Sequence, residues 1–183
     1  SIASILAVDP SEVIFTSGST ESNNTAILGI EEYARATKKM HIITTAIEHK
    51  AVLEPLKYLE GRGFSVDYVK PDESGRINSE TLLSKVRNDT VLVSVMFVNS
   101  ETGIIQPVEE IGRALKKKKV LFHVDATQAL GKLNDRIRNL DYDMMSIAAH
   151  KIGGPQGIGA LILKRDEQYK RPPITPLMYG GHQ

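Results

Sequence analysis

Short apolar runs alternate along the chain with longer amphipathic stretches. The short runs predict buried strands, and the longer stretches predict helices. The run at residues 91–98 is almost wholly apolar, as expected for a strand that is covered on both faces of its sheet. The full set of predicted strands lies at residues 13–16, 42–45, 64–69, 91–98, 120–124, 144–148 and 159–163.

Helices are predicted between these strands. Residues 20–38 and 50–62 are two such stretches, Asn78 is a suitable N-cap for a third helix, and Pro107 is a suitable start for a fourth. Strands and helices that alternate in this order predict an α/β fold of three layers, in which a mainly parallel sheet is covered by helices on both faces. In such folds the functional groups collect at strand ends. Polar residues that follow the predicted strands are therefore the candidates for a functional site.

The composition is that of an ordinary globular domain, with 41% hydrophobic and 25% charged residues in 183. A net charge of +1 gives no reason to expect a nucleic acid or a membrane as partner, and no apolar stretch approaches the ~20 residues of a membrane span. The four lysines at 116–119 fall at the end of a predicted helix, where cations complement the helix dipole, and we interpret them as a solvated helix end. The absence of cysteine excludes disulfides and thiolate metal sites, and we predict no metal site.

Two hydroxyl-rich or histidine-bearing turns follow the first two strands. Ser19 and Thr20 open a helix directly after the first strand, where backbone N–H groups and hydroxyls can form a phosphate cradle. The alternative interpretation of this turn is a plain N-cap. His49 lies at the start of the next helix, and a lone histidine in that position more often has a structural role than a role in ring stacking or proton transfer.

A carboxylate and an amide follow the strand at residues 120–124. Asp125 can cap the next turn, or it can present its charge to a cationic ring nitrogen, with the amide of Gln128 directed at the same ligand. His123 lies inside the strand, and we expect it to be packed and hydrogen-bonded.

A lysine follows the strand at residues 144–148. Lys151 precedes a Gly-Gly-Pro turn and is poorly explained as a surface charge, whereas a lysine in a partly dry pocket can form a Schiff base. His150 beside it can donate to a phosphate. The four segments together supply a phosphate cradle, a histidine for the ring, a carboxylate for a ring nitrogen and an amine for an aldehyde, which are the requirements of pyridoxal 5'-phosphate (PLP).

Five segments carry a specific resemblance to a known family. They are residues 9–24, 47–53, 98–103, 123–128 and 150–155, and they resemble the motifs of the cysteine desulfurases, within the class V aminotransferase group of fold-type I PLP enzymes. The resemblance covers essentially the whole chain, in the family's order and spacing. It implies that Lys151 holds PLP and later moves the substrate Cα proton, that Asp125 pairs with the ring nitrogen, that Gln128 hydrogen-bonds the ring's 3-oxygen and that His49 stacks on the ring.

The resemblance also assigns the phosphate to Ser19, Thr20 and His150, and it exposes two departures. Ser100 stands where the family usually has a second asparagine near the ring's 3-oxygen, and a hydroxyl is shorter. Ala148 stands where the family commonly has a serine, so that one phosphate hydrogen bond is lost. Losing a donor to a charged group costs about 1.5–3 kcal/mol, so we expect weakened rather than abolished PLP binding.

By resemblance, the expected activity is that of a PLP-dependent cysteine desulfurase, which converts L-cysteine to L-alanine and an enzyme persulfide for iron–sulfur cluster or thio-cofactor assembly. The expected partners are a sulfur-acceptor or scaffold protein and a second copy of the chain in a homodimer, in the cytoplasm or, in a eukaryote, the mitochondrial matrix. Residues 1–183 are expected to be the PLP-binding large domain of a longer protein, because the chain begins without Met and ends at Gly180–Gln183. The N-terminal segment, the small domain and the persulfide-forming cysteine are expected outside it.

Two alternatives to this activity stay open. A selenocysteine lyase, or another class V β-eliminating enzyme, would share nearly all of the binding residues. A non-catalytic, PLP-binding or structural relative would be consistent with Ser100, Ala148 and the missing cysteine.

Overall fold

Seven strands form a single sheet in the computed structural model, which describes residues 1–180. Their order across the sheet, by position in the chain, is first, seventh, sixth, fifth, fourth, second and third. The seventh strand is antiparallel to both of its neighbours, and all other pairs are parallel. The strands are β1 (Val13–Thr16), β2 (His41–Thr45), β3 (Ser65–Val69), β4 (Thr90–Met96), β5 (Leu121–Asp125), β6 (Met144–Ala148) and β7 (Gly159–Leu163).

Helices cover both faces of this sheet. They are α1 (Ile2–Leu6), α2 (Ser19–Leu28), α3 (Glu31–Thr37), α4 (Lys50–Glu60), α5 (Ser79–Ser84), α6 (Val108–Lys118) and α7 (Asn134–Arg138), and 3-10 turns lie at Pro10–Glu12 and Ala149–Ile152. Successive strand residues point to opposite faces, so Leu92 packs in one apolar cluster with residues of α2, α3 and α4, whereas Val93 packs in the other with residues of α1, α5, α6 and α7. The predicted three-layer, mainly parallel architecture is thus confirmed.

The single helix predicted at residues 20–38 is wrong, because the chain breaks between α2 and α3. The backbone N–H of Thr175 donates to the carbonyl oxygen of Gly29 at 2.8 Å, which takes this acceptor away from a continuing helix. The returning segment lies so close that a side-chain carbon at Gly29 would meet Ile174 and Thr175. The break therefore results from a tertiary contact with the far end of the chain.

The strand ends position the candidate site. The carboxyl ends of β2 to β6 lie at one edge of the sheet because these strands are parallel, and β1 also ends there because both β1 and β6 are antiparallel to β7. We call this the carboxyl edge. None of the helices in residues 1–180 is long and apolar enough to cross a membrane. Of the predicted end at Gly180–Gln183, residues 181–183 lie outside the described part of the chain.

Candidate active site

All eight predicted site residues lie at the carboxyl edge, in the turns that follow five different strands. Each strand end contributes because the parallel arrangement brings these turns to the same side of the sheet. The residues are Ser19 and Thr20 after β1, His49 after β2, Ser100 after β4, Asp125 and Gln128 at and after β5, and His150 and Lys151 after β6.

Asp125 is the buried acid of this edge, with 7% of its surface exposed. Its Oδ2 accepts a hydrogen bond from Nδ2 of Asn23 at 2.8 Å, and its Oδ1 accepts one from the backbone N–H of Thr127 at 3.0 Å. Two donors on different elements therefore fix the orientation of the carboxylate. Within residues 1–180 no lysine or arginine forms an ion pair with it. The carboxylate thus remains available to a cationic group of a ligand.

His123 lies two residues before Asp125 on the same strand and is fully buried. Its Nδ1 lies 2.9 Å from Oγ of Ser94, and its Nε2 lies 2.9 Å from Oγ of Ser146. The expectation that this histidine is packed and hydrogen-bonded is confirmed. Burial holds the pKa of His123 well below its usual value, although the charge of Asp125 acts in the opposite direction. The imidazole is therefore uncharged at neutral pH and does not neutralise Asp125.

The start of α2 offers donors for an anion. The first helical hydrogen bond runs from the N–H of Ser22 to the carbonyl oxygen of Gly18 at 3.1 Å, so the N–H groups of Ser19 and Thr20 have no acceptor inside the helix. The hydroxyls of Ser19 and Thr20 make no hydrogen bond within the described residues. The side-chain hydrogen bonds at this turn are made by other residues, namely Thr16, Ser17, Glu21 and Ser22. A side-chain carbon at Gly159 would lie 2.6 Å from Cα of Gly18, so β7 can approach this turn only with a glycine.

His49 has the structural role that sequence reasoning favoured for a lone histidine. Its Nδ1 accepts a hydrogen bond from the N–H of Ala51 at 3.0 Å and so caps α4. The side chain is nevertheless exposed and lines an open groove of about 610 Å³ between α2 and α4, together with Thr20 and Asn24. The cap fixes the backbone of this turn at the mouth of the groove, and the ring remains accessible.

Lys151 and His150 lie in the 3-10 turn that follows β6, and both are exposed. The partly dry pocket expected around Lys151 is therefore not formed by the described residues. The cause is local: the chain leaves the sheet at the buried Ala148 and turns back through a hydrogen bond from the N–H of Gly154 to the carbonyl oxygen of Ala149 at 2.9 Å. Neither side chain makes a hydrogen bond within residues 1–180, so both are available to a ligand.

The turn after β4 separates the roles of two neighbouring residues. Asn99 is buried, its Oδ1 accepts from the N–H groups of Glu101 and Thr102 at 2.9 and 3.0 Å, and its Nδ2 donates to the carbonyl oxygen of Ile47 at 3.3 Å. Ser100 is exposed, and its hydroxyl has no partner within the described chain. Asn99 thus shapes the turn, whereas Ser100 faces the solvent at the carboxyl edge.

Sequence reasoning missed two residues of this site, Asn23 and Glu48. Asn23 lies four residues after Ser19 and three after Thr20, a spacing that places all three on neighbouring positions of a helix and could have identified it. Glu48 is buried and lies in the turn between β2 and His49. Its Oε1 accepts hydrogen bonds from Oγ1 of Thr45 at 2.7 Å and from the N–H of Met96 at 2.9 Å. A charged residue in a turn after a buried strand was its signal.

Comparison with known proteins places this arrangement in a family. A family model described as Aminotransferase class-V matches residues 1–183. The chain belongs to that family. The mitochondrial cysteine desulfurase of Candida albicans is 46% identical to this class V chain over 182 residues, which are 100% of the chain and 36% of the relative.

Two solved structures resemble the class V chain closely. DndA from Streptomyces lividans is 51% identical with a TM-score of 0.95, and the comparison covers 98% of this chain and 51% of DndA. SspA in complex with cysteine is 41% identical with a TM-score of 0.89, and the comparison covers 98% of this chain and 51% of SspA. The chain therefore spans about half, or less, of the length of these proteins.

Proposed function

We propose that residues 1–183 are the PLP-binding large domain of a cysteine desulfurase. The observation that carries the proposal is the buried carboxylate of Asp125, which is held by two donors, has no cationic partner within the described residues and shares the carboxyl edge with the amine of Lys151. The family match and the names of the relatives support the same conclusion.

The donor set at this edge fits PLP. Lys151 supplies an amine for the aldehyde, and Asp125 supplies a negative charge for the ring nitrogen. The start of α2, with Ser19 and Thr20, supplies N–H and hydroxyl donors for the phosphate. His150 adds a donor for the phosphate. Three positions remain. Gln128 would hydrogen-bond the 3-oxygen of the ring, His49 would stack on the face of the ring, and Ser100 would contact the 3-oxygen side through a water molecule.

In this reaction the residues of this chain bind the cofactor and transfer protons. Bound PLP supplies an electron sink next to the substrate Cα. Lys151 takes the Cα proton of L-cysteine and returns a proton, while Asp125 holds the ring nitrogen in its charged form. The C–S bond of cysteine breaks and an S–S bond forms to a protein thiol, so L-cysteine and a thiol give L-alanine and a persulfide. That thiol lies outside these 183 residues, which contain no cysteine. The complex of SspA with cysteine supports the choice of substrate.

The proposal includes the partners of the complete protein. A persulfide must be passed on, so a sulfur-acceptor or scaffold protein of iron–sulfur or thio-cofactor assembly is one partner, and a second copy of the chain in a homodimer is another. The compartment that we propose is the cytoplasm or, in a eukaryote, the mitochondrial matrix; the relative from Candida albicans is named as a mitochondrial enzyme.

Reductive labelling tests the cofactor assignment. The full-length protein is mixed with PLP, reduced with borohydride and mapped by peptide mass, and we expect the label on Lys151 because its amine forms the Schiff base. Lys151→Ala should lose both the Schiff-base absorption band and the label. Lys70 provides a matched control, since it is also exposed and also follows a strand at the carboxyl edge, so Lys70→Ala should keep both. A label that persists in Lys151→Ala would refute the assignment.

Turnover tests the substrate. The full-length protein should release alanine from L-cysteine and lose this activity in Lys151→Ala. Release of alanine from selenocysteine alone would overturn the choice of cysteine.

A further inference from the structure

Glu48 is a buried carboxyl group in the turn between β2 and α4, with 5% of its surface exposed. Its Oε1 accepts two hydrogen bonds, from Oγ1 of Thr45 at 2.7 Å and from the backbone N–H of Met96 at 2.9 Å. Met96 is the register partner of Asp125 across β4 and β5. The side chain therefore connects the turn that carries His49 to the strand position directly beside Asp125.

The other oxygen of this carboxyl group is isolated. Oε2 is buried and has no hydrogen-bond partner within residues 1–180, and no cation forms an ion pair with Glu48 there. His49 and Lys50 follow it in sequence, but both side chains are exposed. An unpaired carboxylate in such a place is costly, and a proton on the buried oxygen greatly reduces the cost because it removes the charge.

The electrostatic surroundings act in the same direction. Burial, together with the negative charge of Asp125, raises the pKa of Glu48 to about 8, although the hydrogen bonds from Thr45 and Met96 act in the opposite direction. Asp125 is the charged group that acts on Glu48 from the strands packed against it. Two ionised carboxylates at this place would repel each other.

We propose that Glu48 is a positioning residue that works as a neutral carboxylic acid, fixing the turn of His49 against the end of β4 and keeping a second negative charge away from Asp125. Its effect on the cofactor rests on the proposed function above, whereas its protonation does not. The two parts can therefore be tested separately.

Glutamine distinguishes this role from a simple need for bulk. In Glu48→Gln the amide oxygen can accept from Thr45 and Met96, and the amide N–H₂ takes the place of the protonated oxygen, so the substitution copies the neutral acid without its titration. Glu48→Ala removes both hydrogen bonds. Glu73→Gln is the matched control, because the side chain of Glu73 is exposed, whereas that of Glu48 is buried.

The first experiment measures the proton in the full-length protein without cofactor. The infrared difference spectrum of the wild type minus Glu48→Gln at pH 6 should contain the carbonyl stretch of a neutral carboxylic acid, and this band should fade as the pH is raised through about 8. The wild type minus Glu73→Gln spectrum, recorded under the same conditions, is the control. Carboxylate bands from Glu48 at pH 6 would overturn the proposal.

The second experiment measures PLP binding at pH 7. We expect the affinity of Glu48→Gln to stay within about twofold of the wild type, and that of Glu48→Ala to fall by about tenfold, because the hydrogen bonds that support the turn are lost. Equal weakening by both substitutions would refute the positioning role of a neutral acid. If Glu48→Ala does not fold, the affinity of Glu48→Gln still decides. A protein that shows the neutral-acid band but binds no PLP would refute the proposed function and leave the protonation of Glu48 intact.

Discussion

The carboxylate of Asp125 is held by an amide that lies 102 residues earlier in the chain. Nδ2 of Asn23 donates to it at 2.8 Å, whereas Oδ1 of Asn23 is buried without a partner in the described residues. The position of this amide is therefore set by the packing of α2 on the sheet. A helix that also begins at the proposed phosphate site thus aligns the proposed ring-nitrogen partner.

Substitution of Asn23 tests this link. In Asn23→Ala the buried carboxylate of Asp125 loses one of its two donors, and we expect the unfolding free energy to fall by about 1–3 kcal/mol. Asn24→Ala is the control, because the amide of Asn24 donates only to the carbonyl oxygen of Thr20 near the surface, and its loss should cost no more than about 0.5 kcal/mol. Urea denaturation of both variants measures the difference. Equal losses of unfolding free energy in the two variants would show that the hydrogen bond to Asp125 stabilises the fold no more than the surface hydrogen bond of Asn24 does.

Individual residues differ in how far the sequence could predict them. The burial of Asp125 and His123 could be predicted because both belong to an apolar strand. Asn23 could not be assigned to Asp125 in this way, since the contact of α2 with β5 depends on the order of strands, which an apolar pattern does not contain. The exposure of Lys151 was missed because it depends on the 3-10 turn after β6.

Among the elements, α6 contains a glycine that a helix would normally avoid. Gly112 lies in the middle of this helix, where glycine costs about 1 kcal/mol relative to alanine. A side-chain carbon at this position would overlap the carbonyl oxygen of Asp141 and would lie 3.4 Å from the ring of Phe122. The glycine is therefore required by the close packing of α6 on the segment that enters β6.

Two alanine substitutions distinguish the effect of close packing from that of helix propensity. Gly112→Ala should destabilise the protein by about 1–3 kcal/mol, because a clash with backbone outweighs the gain in helix propensity. Gly61→Ala, at the end of α4, should be neutral or stabilising by up to about 1 kcal/mol, since Gly61 has a helical backbone conformation and its nearest neighbour would lie at 3.4 Å. Thermal unfolding of the two variants provides the comparison. Stabilisation by Gly112→Ala would contradict the packing argument.

Most elements could be predicted from the apolar pattern, since β1, β6 and β7 have the predicted bounds. The short helices α1 and α7 were not predicted, because five residues contain too little periodicity to detect. The break between α2 and α3 results from a contact with Thr175, which lies nearly 150 residues away in the chain. The local sequence carries no information on this contact.

For the molecule as a whole, three buried titratable groups, Glu48, His123 and His41, set the pH dependence of stability. The raised pKa of Glu48 means that the folded protein retains a proton that the unfolded chain releases, so stability falls as the pH rises from about 4.5 to 8. Burial lowers the pKa of His123, and also that of His41 at the opposite end of the sheet, so the unfolded chain binds more protons below about pH 6.5. Stability is therefore lost on that side as the pH falls.

The two effects oppose each other between about pH 4.5 and 6.5, so we expect the unfolding free energy without cofactor to be highest there and to fall by about 2 kcal/mol between pH 6.5 and 8. Glu48→Gln should flatten this fall, because a glutamine releases no proton. His123→Gln should reduce the loss on the acid side and leave the part that comes from His41. His150→Gln is the control, since this side chain is exposed and its loss should leave the curve unchanged. Urea denaturation across the pH range measures each curve, and a wild-type curve that is flat from pH 6.5 to 8 would mean that no buried acid keeps its proton at neutral pH.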